Sequence, residues 1–182
     1  VRSRRQRQMC IRDRLKTLPE KRKKKLKKSS TENIALVTPT LHNSGEVEIY
    51  QVVLENELLK KGVSEENYKY YAWYLTTTYG KNSALILEKF DFFLNESPLE
   101  NLIRAELWYC IHYEMTNSLA DFFVRRTSRL YFNIPSISKY FDIVLMDFKK
   151  YLDWDQKRVS FEKEKMNLLI SDATTYYLEE FK

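Results

Sequence analysis

Glu106 and Glu114 stand eight positions apart in IRAELWYCIHYEM, about two helical turns, so one face of a helix could carry both carboxylates. Two acids held close together can divide general-acid and general-base work when their environments push their pKa values apart. Acid pairs at this spacing are also common on solvated helices, and the spacing alone predicts no catalytic dyad. His42 and His112 are 70 positions apart, and neither forms a metal-ligand pattern with Cys110. His112 is expected in the core or at an interface rather than in catalysis. The three glycines, Gly45, Gly62 and Gly80, cannot compose GxGxxG or a P-loop, which excludes phosphate cradles of those types. No catalytic, cofactor-binding or metal site is predicted within this chain.

The elements that would position such residues read as helices. Three glycines and four prolines in 182 residues are sparse punctuation, and they fall where helices should start and stop. In SPLENLIRAELWYCIHYEM, Ser97 is a candidate N-cap, Pro98 occupies the first helical position and Glu100 completes a capping box. Leu99, Leu102/Ile103, Glu106/Leu107, Cys110/Ile111 and Glu114/Met115 then recur at helical spacing. A helix is predicted from Ser64 to Gly80, whose glycine suits a left-handed C-cap. Gly62 closes an earlier one, Glu46 to Lys61, with Val47, Tyr50, Leu54 and Leu58 on one face. Further helices are predicted over LADFFVRRT, with Ser118 at its start, over PSISKYFDIVLMDFKKYL, and from about Asp155 to Glu180. Only ENIALVTPT, Glu32 to Thr40, reads as extended. The predicted class is all-α, a single helical domain of about six helices. The 10 Phe, 13 Tyr and 3 Trp lie on the helical stripes, as core and interface packing requires.

Charge is uneven along the chain. Residues 4–14, RRQRQMCIRDR, translate without mismatch from one frame of a transposon adapter common in sequencing libraries, so residues 1–14 are expected to be a non-native artefact. They hold six Arg and one Asp, and so carry +5 of the formal +6. The frame runs directly into Leu15, which predicts a chain truncated at its N-terminus. LKTLPEKRKKKLKK, Leu15 to Lys28, has eight basic residues and one acidic; beyond it 17 basic face 23 acidic side chains. The expected organisation is therefore an artefact over 1–14, a basic linker and extended lead-in over 15–45, and a helical domain over 46–182. Once Cys10 is set aside, Cys110 has no internal disulfide partner, which fits a reducing compartment. No apolar run approaches the ~18–20 residues of a membrane span.

One window is more specific than generic helix. Ala105-Glu106, Tyr109, Glu114-Met115, Leu119-Ala120-Asp121-Phe122-Phe123, Arg125-Arg126-Thr127 and Leu130-Tyr131-Phe132 follow one another in a pattern. That pattern resembles the C-terminal helical (cap) domain of FAD-dependent glycerol-3-phosphate dehydrogenases and alpha-glycerophosphate oxidases. YLTTTYGKNSALIL, Tyr74 to Leu87, and YLDWDQKR, where Asp155 serves as the cap of the last helix, are similar to two further stretches of that family. The resemblance runs from about Val47 to the C-terminus.

The resemblance implies a parent enzyme that oxidises sn-glycerol 3-phosphate to dihydroxyacetone phosphate, passing a hydride to FAD and electrons onward to quinone or oxygen. It also implies that the FAD-binding domain of the same parent chain lies N-terminal to this one, which alone would be inactive and bind no FAD. Arg125, Arg126 and Thr127 are the candidates for the interface between the two. One arginine would meet a carboxylate or backbone carbonyl across it; a solvated or intradomain ion pair is the alternative. The basic leader reads as a linker or as a contact with anionic membrane, each Lys or Arg near the surface contributing ~1 kcal/mol. The expected location is cytoplasmic, with the inner face of the cell membrane as a peripheral site. A different class of reading, a stand-alone helical module whose basic arm binds nucleic acid or anionic membrane, rests on about eight charges. The acidic body argues against nucleic acid. A plain helical interaction domain is the third.

Overall fold

The computed structural model describes residues 13–23, 41–93 and 97–175, and the chain divides into two compact units, Val1–Leu36 and Val37–Lys182. Within the described part of the first, one helical turn covers Glu20–Lys23, and Lys16 lies 3.3 Å from Asp13 on the exposed surface.

The second unit begins with α1, Ser44–Lys60. Its N-cap is Asn43, whose side chain accepts from the Glu46 N–H at 2.9 Å. Leu54 and Leu58 are buried and Val47 and Tyr50 partly so, as the predicted face requires. Gly62, at φ +82°, ends the helix in a backbone conformation that L side chains rarely adopt. The next helix, α2, is Tyr68–Tyr79 and packs on α1. It starts four residues later than predicted because Ser64–Asn67 forms a turn, tied by the Asn67 N–H to the Ser64 carbonyl at 2.9 Å. Gly80 stops α2 at φ +55° and ψ −138°, outside the left-handed helical well that the sequence suggested.

A short 3-10 turn, Gly80–Asn82, leads to α3, Ser83–Phe90, a separate helix that the sequence reading had not distinguished. It packs on α4, Pro98–Glu114, which begins as expected: the Ser97 side chain accepts from the Glu100 N–H and Pro98 takes the first position. Helix α4 runs through the centre of the domain. Asn101 to Ile103, Ala105 to Leu107, Tyr109 and Cys110 are all buried. Met115 does not extend that stripe, since the chain turns left-handed there (φ 54°) and leaves its side chain 88% exposed.

LADFFVRRT contains a π-helical segment, Asp121–Arg126, rather than an α-helix. Wider turns bring neighbouring side chains closer in angle, and the adjacent Phe122 and Phe123 are both fully buried. A four-residue α5, Arg129–Phe132, leads to α6, Ile134–Leu152, which buries Ile137, Phe141, Val144, Leu145 and Phe148 and half-buries Tyr151 and Leu152. Arg104 on α4 grips Asp147 on α6 with two hydrogen bonds, Nε to Oδ2 at 2.7 Å and Nη2 to Oδ1 at 2.8 Å. The last helix, α7, Gln156–Thr174, is capped by Asp155, which accepts from the Arg158 N–H at 2.7 Å. It ends earlier than predicted. ENIALVTPT and the predicted continuation of α7 over 176–180 lie outside the described residues. Among the described residues the domain is all-helical, and its core includes Leu58, Leu75, Ile86, Leu107, Phe122, Phe123 and Phe148.

Candidate functional site

The chemistry gathers where α2, α4 and α5 meet. Glu106 points from α4 into the interior, 1% exposed. Its Oε2 accepts from Arg129 Nη2 at 2.9 Å, and its Oε1 accepts from the hydroxyls of Tyr74 and Tyr79, the latter at 2.8 Å. Arg129 also donates from Nη1 to Ser136 Oγ at 3.3 Å. A carboxylate buried this deeply requires such partners, because transfer of an unpaired charge from water costs far more than any one contact returns.

The surrounding groups respond to that charge. Burial, then the Glu106 carboxylate, pushes the Tyr74 and Tyr79 phenols well above the usual range. The Cys110 thiol, 3.7 Å from the Tyr79 hydroxyl, is raised for the same two reasons. For Arg129, burial opposes the charge, but Glu106 and the tyrosine oxygens outweigh it and hold the guanidinium charged. These are protonation states locked in place, not groups poised to exchange protons near neutral pH.

Above this network opens a cleft of about 550 Å³, lined by Tyr70, Trp73, Tyr74, Arg126, Arg129 and Phe132 among others. The left-handed Ser128 (φ 53°) turns the chain so that Arg129 enters the interior beneath it.

The three predicted interface residues separate. Arg125 is exposed and pairs with Asp121 one turn back. Arg126 and Thr127 line the cleft. Arg126 donates from Nη2 to the Glu114 carbonyl at 2.6 Å, with its Nε 3.5 Å from that residue's carboxylate. Thr127 is buried, its hydroxyl donating to the Phe122 carbonyl at 2.8 Å. The two glutamates weighed as a dyad are therefore apart in role, each engaged by its own arginine. His112 is exposed rather than in the core, its Nδ1 2.8 Å from the Trp108 carbonyl. Arg129 is not singled out by the sequence, and Tyr74 and Tyr79 stand there only within a family-like stretch, because 23 positions separate Glu106 from its arginine and no local spacing reports contacts of that kind.

The chain's three glycines form no dinucleotide-binding turn. Gly62 and Gly80 terminate helices and Gly45 lies in the first turn of α1, so no glycine-rich turn opens a helix toward a phosphate. No group of three or more potential metal ligands occurs among the described residues, and no helix there is long and apolar enough to cross a membrane.

Comparison with known proteins gives concordant matches. A family model, the C-terminal domain of alpha-glycerophosphate oxidase, matches residues 38–159. The aerobic glycerol-3-phosphate dehydrogenase of Bacillus subtilis (strain 168) is 31% identical over 166 residues, 90% of this chain and 29% of that protein. The alpha-glycerophosphate oxidase of Streptococcus pyogenes serotype M18 is 32% identical over 105 residues, 56% of this chain and 16% of its own length. The crystal structure of the glycerol-3-phosphate dehydrogenase from Bacillus halodurans, complexed with FAD, superposes with a TM-score of 0.61 at 20% identity, over 74% of this chain and 27% of that one. The chain thus spans less than a third of the length of these relatives.

Proposed function

The chain belongs to the family of the C-terminal domain of alpha-glycerophosphate oxidase, and from that premise we propose that it is the helical cap of a flavoenzyme oxidising sn-glycerol 3-phosphate to dihydroxyacetone phosphate. In the parent, FAD would accept the hydride and pass electrons to quinone or oxygen. The flavin, the substrate-binding groups and the catalytic residues would reside in sequence N-terminal to this domain. Residues 46–182 would supply a helical cap packed against the flavin domain, since a cofactor carries the redox chemistry and the protein around it supplies binding and orientation. Residues 15–45 would link the two, with 1–14 foreign to the protein. The enzyme would be cytoplasmic, with the inner face of the membrane as its peripheral site.

The observation that carries this reading is the family match over residues 38–159, which includes the Ala105-Glu106, Leu119–Phe123 and Arg125-Arg126-Thr127 stretches. The alignment with the Bacillus subtilis dehydrogenase over 90% of the chain supports it. The test is to express the polypeptide read in frame from the source DNA and measure bound FAD and acceptor reduction dependent on sn-glycerol 3-phosphate. Both are expected in the full-length protein, and neither in the 182-residue chain. A flavin-free full-length protein, or activity in the isolated chain, contradicts the proposal.

A further inference from the structure

Large rings in water need a reason when they rim a cavity. Tyr70 and Trp73 are each 50% exposed and Phe132 is 87% exposed, all around the cleft over Arg129. Two other exposed rings of the domain carry cations: Phe92 has Lys89 at 4.4 Å, and Phe161 has Arg158 and Lys165 at 5.7 and 5.9 Å. Among the described residues no Lys or Arg lies over Tyr70, Trp73 or Phe132; Tyr70 meets the rings of Tyr71, Trp73 and Tyr74 at 5.1, 6.1 and 6.3 Å, and Phe132 meets that of Tyr131 at 6.5 Å.

The floor of the cleft is equally specific. Arg129 is 8% exposed, and its Nε–H has no hydrogen-bond partner, although both terminal nitrogens do. A buried donor left unpaired is costly, and in native structures nearly all such groups are met by protein, water or a ligand. Both arginines of the cleft already face a carboxylate, Arg129 with Glu106 and Arg126 with Glu114. The cleft therefore does not call for an anion. It suits an apolar segment that presents a neutral acceptor, a backbone carbonyl.

We infer that this cleft is the seat of the flavin domain of the same polypeptide, with Tyr70, Trp73 and Phe132 as the aromatic contacts and Arg129 Nε donating to a backbone carbonyl of that domain. The inference rests on the proposed function, and it names the cap's docking surface, assigning the cross-domain arginine to Arg129 rather than to Arg125 or Arg126. Aromatic and arginine side chains at the centre of a patch are the residue types that carry interface energy. This chain spans only 29% of the Bacillus subtilis relative, so in proteins of that kind the greater part of the polypeptide is available to cover the cleft.

The test uses the full-length protein, with p-benzoylphenylalanine placed at Phe132 in one variant and at Phe161 in another. Both positions are exposed aromatics, so neither replacement should unfold the domain. On irradiation, the Phe132 variant is expected to cross-link within one polypeptide to peptides N-terminal to this domain, and the Phe161 variant is not. Cross-links confined to residues 37–182, cross-links to a second copy, or no cross-link at all from position 132 overturn the inference. R129K keeps a cation opposite Glu106 but removes Nε, and it is expected to release flavin about tenfold faster, the factor corresponding to one charge-assisted hydrogen bond. Unchanged release overturns the role of Nε. If the wild-type full-length protein holds no FAD, the proposed function itself has failed; if it does and the cross-links lie elsewhere, only the docking surface has.

Discussion

Arg129 Nη2 lies 2.9 Å from Glu106 Oε2 in the interior of the domain, the two side chains 9% and 2% exposed. This pair joins α4 to α5 and sits directly under the aromatic cleft. Such a pair need not raise net stability over an apolar substitute, but breaking it from one side leaves a buried charge uncompensated.

That asymmetry gives the first prediction. Glu106→Gln should destabilise the chain by about 3 kcal/mol, measured by urea unfolding. Replacing both partners, Glu106→Gln with Arg129→Met, should cost less than Glu106→Gln alone, because no uncompensated guanidinium remains. A double variant as damaged as the sum of its two single variants would show that the ion pair is not the coupling.

The same network sets the alkaline limit. Tyr74 and Tyr79 have pKa values raised in the folded state by burial and by Glu106. A raised value means the folded form holds its proton while the unfolded form releases it. The stabilisation is complete below the unfolded tyrosine pKa of about 10 and is lost as pH rises through and beyond it. The raised Cys110 thiol starts the decline earlier, from about pH 8.5. Helix content followed by circular dichroism at fixed urea should therefore fall above about pH 9. Tyr74→Phe should flatten the part of that decline above pH 10; an identical slope would remove Tyr74 from the account.

Much of the scaffold was legible from residue types. Ser97-Pro98-Glu100, Gly62, Gly80 and Asp155 each mark a helix end by local chemistry, and the structure places helix ends there. The stop at Gly80 was legible, but the helix Ser83–Phe90 that follows it was not, because a 3-10 turn, Gly80–Asn82, leads into it with no side-chain cap to mark its start. The π segment was also hidden. Its signature is a Thr127 N–H bonded five residues back to Phe122, and that depends on burying two adjacent phenylalanines at once. For the site, Arg125, Arg126 and Thr127 drew attention as a motif, whereas Arg129 emerged only once tertiary packing had brought it to Glu106.

The two adjacent arginines should respond differently to truncation. Arg125 makes an exposed i, i+4 pair with Asp121, and Arg125→Ala should change stability by less than about 0.5 kcal/mol. Arg126 holds the carbonyl at the end of α4, and Arg126→Ala should cost about 1 kcal/mol. Equal losses in thermal unfolding would contradict these assignments.

Met115 offers a gain instead of a loss. It is held at φ 54° with its side chain 88% exposed, so the left-handed backbone carries a penalty that no packing offsets. Met115→Gly removes the Cβ conflict and should stabilise the domain by about 1 kcal/mol, seen as a higher Tm. A lower Tm would mean that the methionine contributes through a contact outside the described residues.

The measurement that bears most directly on the cap assignment is a long sequencing read of the source DNA across the junction between Arg14 and Leu15. The account predicts that the native frame continues upstream of Leu15 into a domain with a GxGxxG strand–turn–helix unit, and that RRQRQMCIRDR is absent from it. A start codon shortly before Leu15, or the same basic N-terminus behind one, would contradict the account and leave a basic-armed helical protein with no flavin domain of its own.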